Sequence, residues 1–129
     1  MARILVVDDD ARLTAVLRDI LTQAGHEVQT AYNGEEACKA FRRLPVDLLI
    51  TDMLMPEKEG IETITSLRRV CPGLRIIAIS GGGQESPTFY LEMAREFGAD
   101  VTLQKPFSKA QLLQAVEGLI MQEDGVSEA

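Results

Sequence analysis

The sequence has no tryptophan, one histidine and two cysteines. Cys38 and Cys71 fall in helical patterns with no C-x-x-C pair and no histidine beside them. Neither a zinc site nor a disulfide is expected, and both read as reduced, mostly buried thiols. His26 sits in a Gly25-His26-Glu27 turn and reads as a loop residue rather than a catalytic base. Long apolar runs are also missing. The longest, Ile4 to Val7 with its neighbours, is far too short to span a bilayer. The opening Met1-Ala2-Arg3-Ile4-Leu5 runs straight into a strand pattern, without the layout of a signal peptide. A cytoplasmic protein with no membrane partner is therefore expected. Positive charge is in deficit, with a formal net charge of −7. Such a surface is poorly suited to neutralising phosphates, so no direct nucleic acid binding is expected. Metal cations and basic protein surfaces are the better partners.

What is present suits one globular domain: 129 residues, of which 46% are hydrophobic and 26% charged. Strand and helix patterns alternate five times. Ile4-Leu5-Val6-Val7 is a short apolar run, as in a strand buried on both faces. Leu13, Val16, Leu17, Ile20, Leu21 and Ala24 then recur at helical spacing, and Gly25 closes the helix. A more polar strand follows at Val28–Tyr32. Asn33 and Glu36 form a capping box for a helix that buries Ala37, Ala40 and Phe41. The third strand is Asp47–Thr51. Ile61, Ile64, Leu67 and Cys71 mark a third helix, stopped by Pro72-Gly73. The fourth strand is Ile76–Ile79. Ser86-Pro87 opens a fourth helix that ends near Phe97-Gly98. The fifth strand is Val101–Leu103. Ser108 and Gln111 cap a last helix with Leu112, Leu113, Val116, Leu119 and Ile120 inward. This order predicts an α/β fold, a doubly wound five-stranded parallel sheet with five helices on both faces. The domain is expected over residues 1–122, with a flexible polar tail at 123–129 that frays from Gln122.

In an open α/β sheet, ligands bind beyond the carboxyl ends of the strands. The residues expected there are Asp8-Asp9-Asp10 after the first strand, Asp52 after the third, Ser80 after the fourth and Lys105-Pro106 after the fifth. Asp10 is placed as the cap of the first helix. Capping leaves Asp8, Asp9 and Asp52 unexplained. Like charges crowded in one cleft recruit a cation or a proton. Hard carboxylate oxygens without Cys or His suit magnesium, with manganese the alternative ion. A carboxylate beside such an ion can attack phosphorus and become an aspartyl phosphate. The transferring group needs fixed positive charge, and Lys105 supplies it. Ser80 can donate its hydroxyl, and the Gly81 N–H can approach closely. The Gly81-Gly82-Gly83 run lacks the lysine of a P-loop and is a weak signal alone. Lys105 alone is weak too; a cis bond to Pro106 would aim it inward.

Together these residues resemble the receiver domains of bacterial response regulators, from Ile4 to Ile120. The resemblance rests on Val6-Val7-Asp8-Asp9, on Asp47-Leu48-Leu49-Ile50-Thr51-Asp52-Met53-Leu54-Met55-Pro56 with Gly60 beyond, on Ser80, and on Lys105-Pro106-Phe107. It implies a flavodoxin-like fold with strand order 2-1-3-4-5. It implies that Asp52 accepts phosphate from a sensor histidine kinase or phosphotransfer protein. Asp9 and Asp52 then ligate magnesium directly, Asp8 acts mainly through water, and the Leu54 carbonyl completes the protein ligands. Ser80, Gly81 and Lys105 hold the phosphoryl oxygens. The first helix, including Arg12, Leu13, Ala15 and Val16, reads the kinase. The face of the fourth helix, fifth strand and fifth helix meets an unknown downstream protein.

The sequence departs from the family pattern in two places. Thr102 stands where many receivers carry an aromatic switch residue, and Phe89, Tyr90 and Phe97 are read as packing residues rather than substitutes. The glycine-rich stretch after Ser80 is slightly long, and phosphorylation is expected to order residues 81 to 86 instead. Leu54 and Gly82, which the resemblance makes the tuning positions for phosphate loss, carry no side chain able to orient water. A competing expectation is an aspartate-dependent phosphohydrolase of the haloacid-dehalogenase type, since Asp8-Asp9-Asp10 contains a D-x-D. That scheme leaves Asp52 and Lys105-Pro106-Phe107 without roles and needs a cap domain. A flavin module of similar fold is disfavoured by the scarce aromatics and the acidic rim. The expected protein is a phosphoacceptor switch, not an enzyme.

Overall fold

The four-residue apolar run Ile4–Val7 is buried along its length, as in a strand covered on both faces. The computed structural model describes residues 2–53, 59–81, 92, 95–96 and 98–126. Its elements run β1 (Arg3–Val7), α1 (Ala11–Gln23), β2 (Glu27–Ala31), α2 (Gly34–Arg43), β3 (Leu48–Asp52), α3 (Glu59–Val70), β4 (Arg75–Ser80), β5 (Val101–Gln104) and α4 (Lys109–Val126). All strand pairs are parallel, in the order β2-β1-β3-β4-β5. The expected sheet and order are therefore observed. Four helices lie among the described residues. The helix expected from Ser86 to Phe97 falls largely outside them, although residues 92, 95 and 96 are helical.

The period-2 alternation of the strands divides the core into two layers. Leu5, Val7, Leu49, Ile76 and Ala78 meet Ala37, Phe41, Ile64 and Leu67 from α2 and α3. Ile4, Val6, Leu48, Ile50, Ile77 and Ile79 point the other way and meet Leu17 and Leu21 of α1 with Leu112, Val116 and Leu119 of α4.

Side-chain caps fix where the helices start. Asp10 accepts from the N–H groups of Arg12 and Leu13 at the head of α1. Asn33 accepts from Glu36 N–H at 2.8 Å, and Glu36 reaches back to Tyr32 N–H at 2.8 Å. Ser108 and Gln111 exchange the same pair of bonds before α4. These caps satisfy amide groups that the first helical turn leaves unpaired. After α1 the chain turns through Gly25 at φ +97°, a conformation glycine adopts without a Cβ penalty.

The details differ from the sequence reading in several places. β2 begins and ends one residue early, leaving Tyr32 exposed. Val16 is 52% exposed rather than inward, and Ala24 is exposed as well. The helical spacing holds, but the face that α1 buries is narrower and centres on Leu17 and Leu21. α4 runs to Val126, into the polar segment expected to fray. His26 is in a loop but is buried, bonded through both ring nitrogens to Ala2 N–H and Glu117. The two cysteines are free and half-buried, and burial pushes the Cys38 thiol up from its ordinary value.

Candidate functional site

The parallel register brings the chemistry together at one rim. Val7 lies opposite Thr51 in the ladder, so the next residues, Asp8 and Asp52, are neighbours. Asp52 is the last residue of β3 rather than the first beyond it, and lies opposite Ile79. Ser80 is likewise the last residue of β4, paired with Gln104. Lys105 N–H continues that ladder, donating to Ser80 O at 2.7 Å. The Lys105-Pro106 bond is cis.

Asp8, Asp9 and Asp52 each offer a carboxylate oxygen within 4.8 Å of the others. Asp8 and Asp52 are buried and Asp9 is exposed. Asp8 Oδ1 accepts from Asp10 N–H at 2.8 Å, whereas its Oδ2 is buried with no hydrogen-bond partner among the described residues. Lys105 Nζ stands 3.3 Å from Asp52 Oδ2 and 3.7 Å from Asp8 Oδ2. Ser80 is fully buried, and its Oγ also lacks a partner among the described residues. Unsatisfied buried polar atoms are costly, so a buried Asp8 oxygen and a buried Ser80 hydroxyl on the strand-end rim suit a ligand that would complete them.

The charge balance is uneven. Burial above all pushes the Asp8 carboxyl up to about 7, and the charge of Asp52 adds to the rise. The Asp10 N–H bond and the Lys105 ammonium pull it partly back. An acid held this high binds a proton where it would otherwise bind a cation. The donor set fits a hard divalent ion: three carboxylates on one edge, an orphaned oxygen, and neither Cys nor His among the three.

A match to the response regulator receiver domain family covers residues 4–117. This chain belongs to that family. It serves phosphorelay signalling, and nothing in the matches supports the phosphohydrolase alternative. The receiver is 36% identical over 115 residues to the chemotaxis protein CheY of Thermotoga maritima, covering 88% of this chain and 93% of CheY. It is 36% identical over 120 residues to the transcriptional regulatory protein CpxR of Klebsiella pneumoniae, covering 93% of this chain and 50% of CpxR. The chain thus spans about half the length of that longer relative. Among solved structures, a receiver domain protein of Clostridium thermocellum superposes with a TM-score of 0.87 at 27% identity, covering 98% of this chain and 99% of that one. NtrX of Brucella abortus gives 0.90 at 26% identity, covering 98% of this chain and 29% of that one.

Of the predicted site residues, the receiver brings together Asp8, Asp52 and Lys105 in direct ion pairs, with Asp9 in reach of the same point. Ser80 and Gly81 close the β4 side. Leu54, Gly82 and most of the expected loop from 81 to 86 lie outside the described residues, as do Phe89, Tyr90 and Phe97. Thr102 lies in β5 opposite Ala78, partly buried. The sequence reading missed a groove of about 300 Å³ between α1 and the residues after Lys105, lined by Leu13, Val16, Ile20, Pro106 and Phe107. Val16 is the large apolar residue of α1 that the core leaves exposed.

Proposed function

We propose that Asp52 is the phosphoacceptor and that Asp8, Asp9 and Asp52 hold a magnesium ion beside it, with the Leu54 carbonyl as a further ligand. Manganese is the expected substitute. The reading is carried by one observation: Lys105 Nζ sits within 3.7 Å of carboxylate oxygens at the ends of two separate strands. An Asp52 oxygen bonds to phosphorus as the donor's P–N or P–O bond breaks, and the departing group takes up a proton. Lys105 then turns from Asp52 to a phosphoryl oxygen, and the Ser80 hydroxyl donates to another. The ion, when bound, supplies the second positive charge that the transferred group requires.

The proposed donor is a sensor histidine kinase or phosphotransfer protein, and the proposed setting is the cytoplasm. The exposed Val16 and the apolar groove beside Pro106 and Phe107 suit the face of a partner helix next to the acidic rim. Output passes to a downstream protein, with β5 at the sheet edge as part of the contact. In this reading the domain is a switch, and its self-catalysed steps are at most phosphorylation from small phosphodonors and loss of phosphate.

Incubation with magnesium and acetyl phosphate, followed by intact-mass measurement, tests the assignment. The expected result is a gain of one phosphoryl group that Asp52→Asn or a chelator abolishes. A gain that persists in Asp52→Asn would overturn it.

A further inference from the structure

We propose that the face built by α2 and α3 is a self-complementary docking surface that pairs two copies of this chain about a two-fold axis. Both helices are crossovers between parallel strands, so they run the same way, side by side. A groove of about 250 Å³ between them is lined by Gly34, Cys38, Glu62, Thr63 and Ser66, with Glu35 at its edge. The shared groove sets the helices in step: the first turn of α2 stands beside Glu62, and Cys38 beside Ser66.

Charge is sorted along both helices. α2 opens with Glu35 and Glu36 and closes with Arg42 and Arg43. α3 has Glu62 in its first turn and Arg68 and Arg69 in its last. The helix dipole favours that order on any helix. Yet α1 and α4, on the opposite side of the sheet, have neither an acidic first turn nor a basic last turn. The sorting therefore belongs to one face. Some of its charges are engaged within the chain: Glu36 caps α2, and Arg68 holds Asp100 and the Gly98 carbonyl. Arg42, Arg43, Glu62 and Arg69 are exposed and stand in no ion pair among the described residues.

A second copy laid antiparallel on this face, about an axis that crosses the helices in the plane of contact, sets each acidic end on a basic end. One axis serves both helices. Glu35 and Arg42 lie evenly about Cys38 and Lys39, and Glu62 and Arg69 evenly about Thr65 and Ser66, at the same level of the groove. The exposed apolar residues fit the same axis. Tyr32 and Leu44, 45% and 40% exposed, flank α2 and lie evenly about Cys38. In the pair, α2 faces α2, with Tyr32 toward Leu44 and Glu35 toward Arg42. A parallel pairing would set glutamate on glutamate, so the pattern selects the antiparallel one. The net charge of −7 opposes indiscriminate association, and the sorted face is where two copies attract.

Sedimentation equilibrium at about 0.02 M and about 0.5 M ionic strength tests the inference. The expected result is a weak monomer–dimer equilibrium, with a dissociation constant on the order of 0.1 mM at the lower salt. It should weaken by roughly tenfold or more at the higher salt. Glu62→Arg or Arg69→Glu alone places like charges together twice per dimer and should weaken it by about tenfold or more. The double variant exchanges the pair and should return to within about 3-fold of the wild type. If a single variant fails to fold, Glu35→Arg and Arg42→Glu make the same exchange on α2. Amide NMR shifts should move with protein concentration at Glu35, Cys38, Arg42, Glu62, Ser66 and Arg69. A chain still monomeric at about 1 mM, a dimer indifferent to salt, a double variant as weak as the singles, or moving shifts on α1 or α4 instead would overturn the inference.

Discussion

At the scale of single residues, two buried groups make claims that can be measured. Asp8 holds its proton up to about 7 in the folded protein, against 3.8 in the open chain. Between those values the folded state carries a proton that the unfolded state has lost, so stability falls as pH rises through that window. Above about 7 the charge is present in both states and the loss is complete. Asp8→Asn is expected to match the metal-free wild type near pH 4 and to exceed its stability at pH 8 by on the order of 1 kcal/mol. Divalent binding needs the carboxylate, so magnesium affinity should drop as pH falls below 7, approaching about tenfold per unit. Calorimetry at pH 6, 7 and 8 checks the sign; affinity that rises on acidification would contradict it. His26 makes the second claim. Its Nδ1 accepts Ala2 N–H at 3.1 Å, which leaves Nε2–H to donate to Glu117. His26→Ala strands a buried amide and should lower urea-derived stability by roughly 1–3 kcal/mol. The nearly exposed partner should matter less, so Glu117→Gln is expected to lose well under half of that.

At the scale of elements, much of the fold was legible because the strands are continuous apolar runs and the caps have a sequence signature. Asp10, Asn33 and Ser108 head their helices as the residue order predicts. What could not be read are properties of how elements meet. Periodicity says that Val16 lies near the apolar side of α1; only packing shows that the buried face centres on Leu17 and Leu21 and leaves Val16 52% exposed. The turn around His26 looks polar in sequence, and its burial comes from α4 closing over it through Glu117. The site followed the same division. Asp8, Asp9, Asp52, Ser80 and Lys105 were legible because each stands where a strand pattern ends. The close approach of Lys105 to Gly81 was not, since it depends on the β4–β5 register. The groove beside α1 gives an element-scale prediction. Val16→Glu should leave thermal stability within about 0.5 kcal/mol, as an exposed position allows. It should slow transfer from the cognate kinase by roughly tenfold or more, a typical loss for one anchoring contact. Labelling by acetyl phosphate should fall far less. Equal losses from both donors would remove α1 from the docking surface.

At the scale of the whole molecule, the parallel sheet is a device for collecting charge. Its two apolar layers take the central residues of β1, β3 and β4, and the residues at or just beyond the carboxyl ends of these strands are polar and converge. Three acidic groups and one lysine then share a cleft, in which the buried Asp8 Oδ2 has the Lys105 ammonium at 3.7 Å and no hydrogen bond among the described residues. The arrangement is unfavourable without a cation and favourable with one, which makes the rim responsive to what binds there. The most direct measurement is crystallographic: soak the protein with manganese and locate the ion by anomalous scattering. The account predicts a peak in coordination contact with the carboxylates of Asp9 and Asp52, beside Asp8, with Lys105 Nζ withdrawn from the ion. A peak elsewhere on the acidic surface, with Asp52 still paired to Lys105 and no ion between the strand ends, would contradict it.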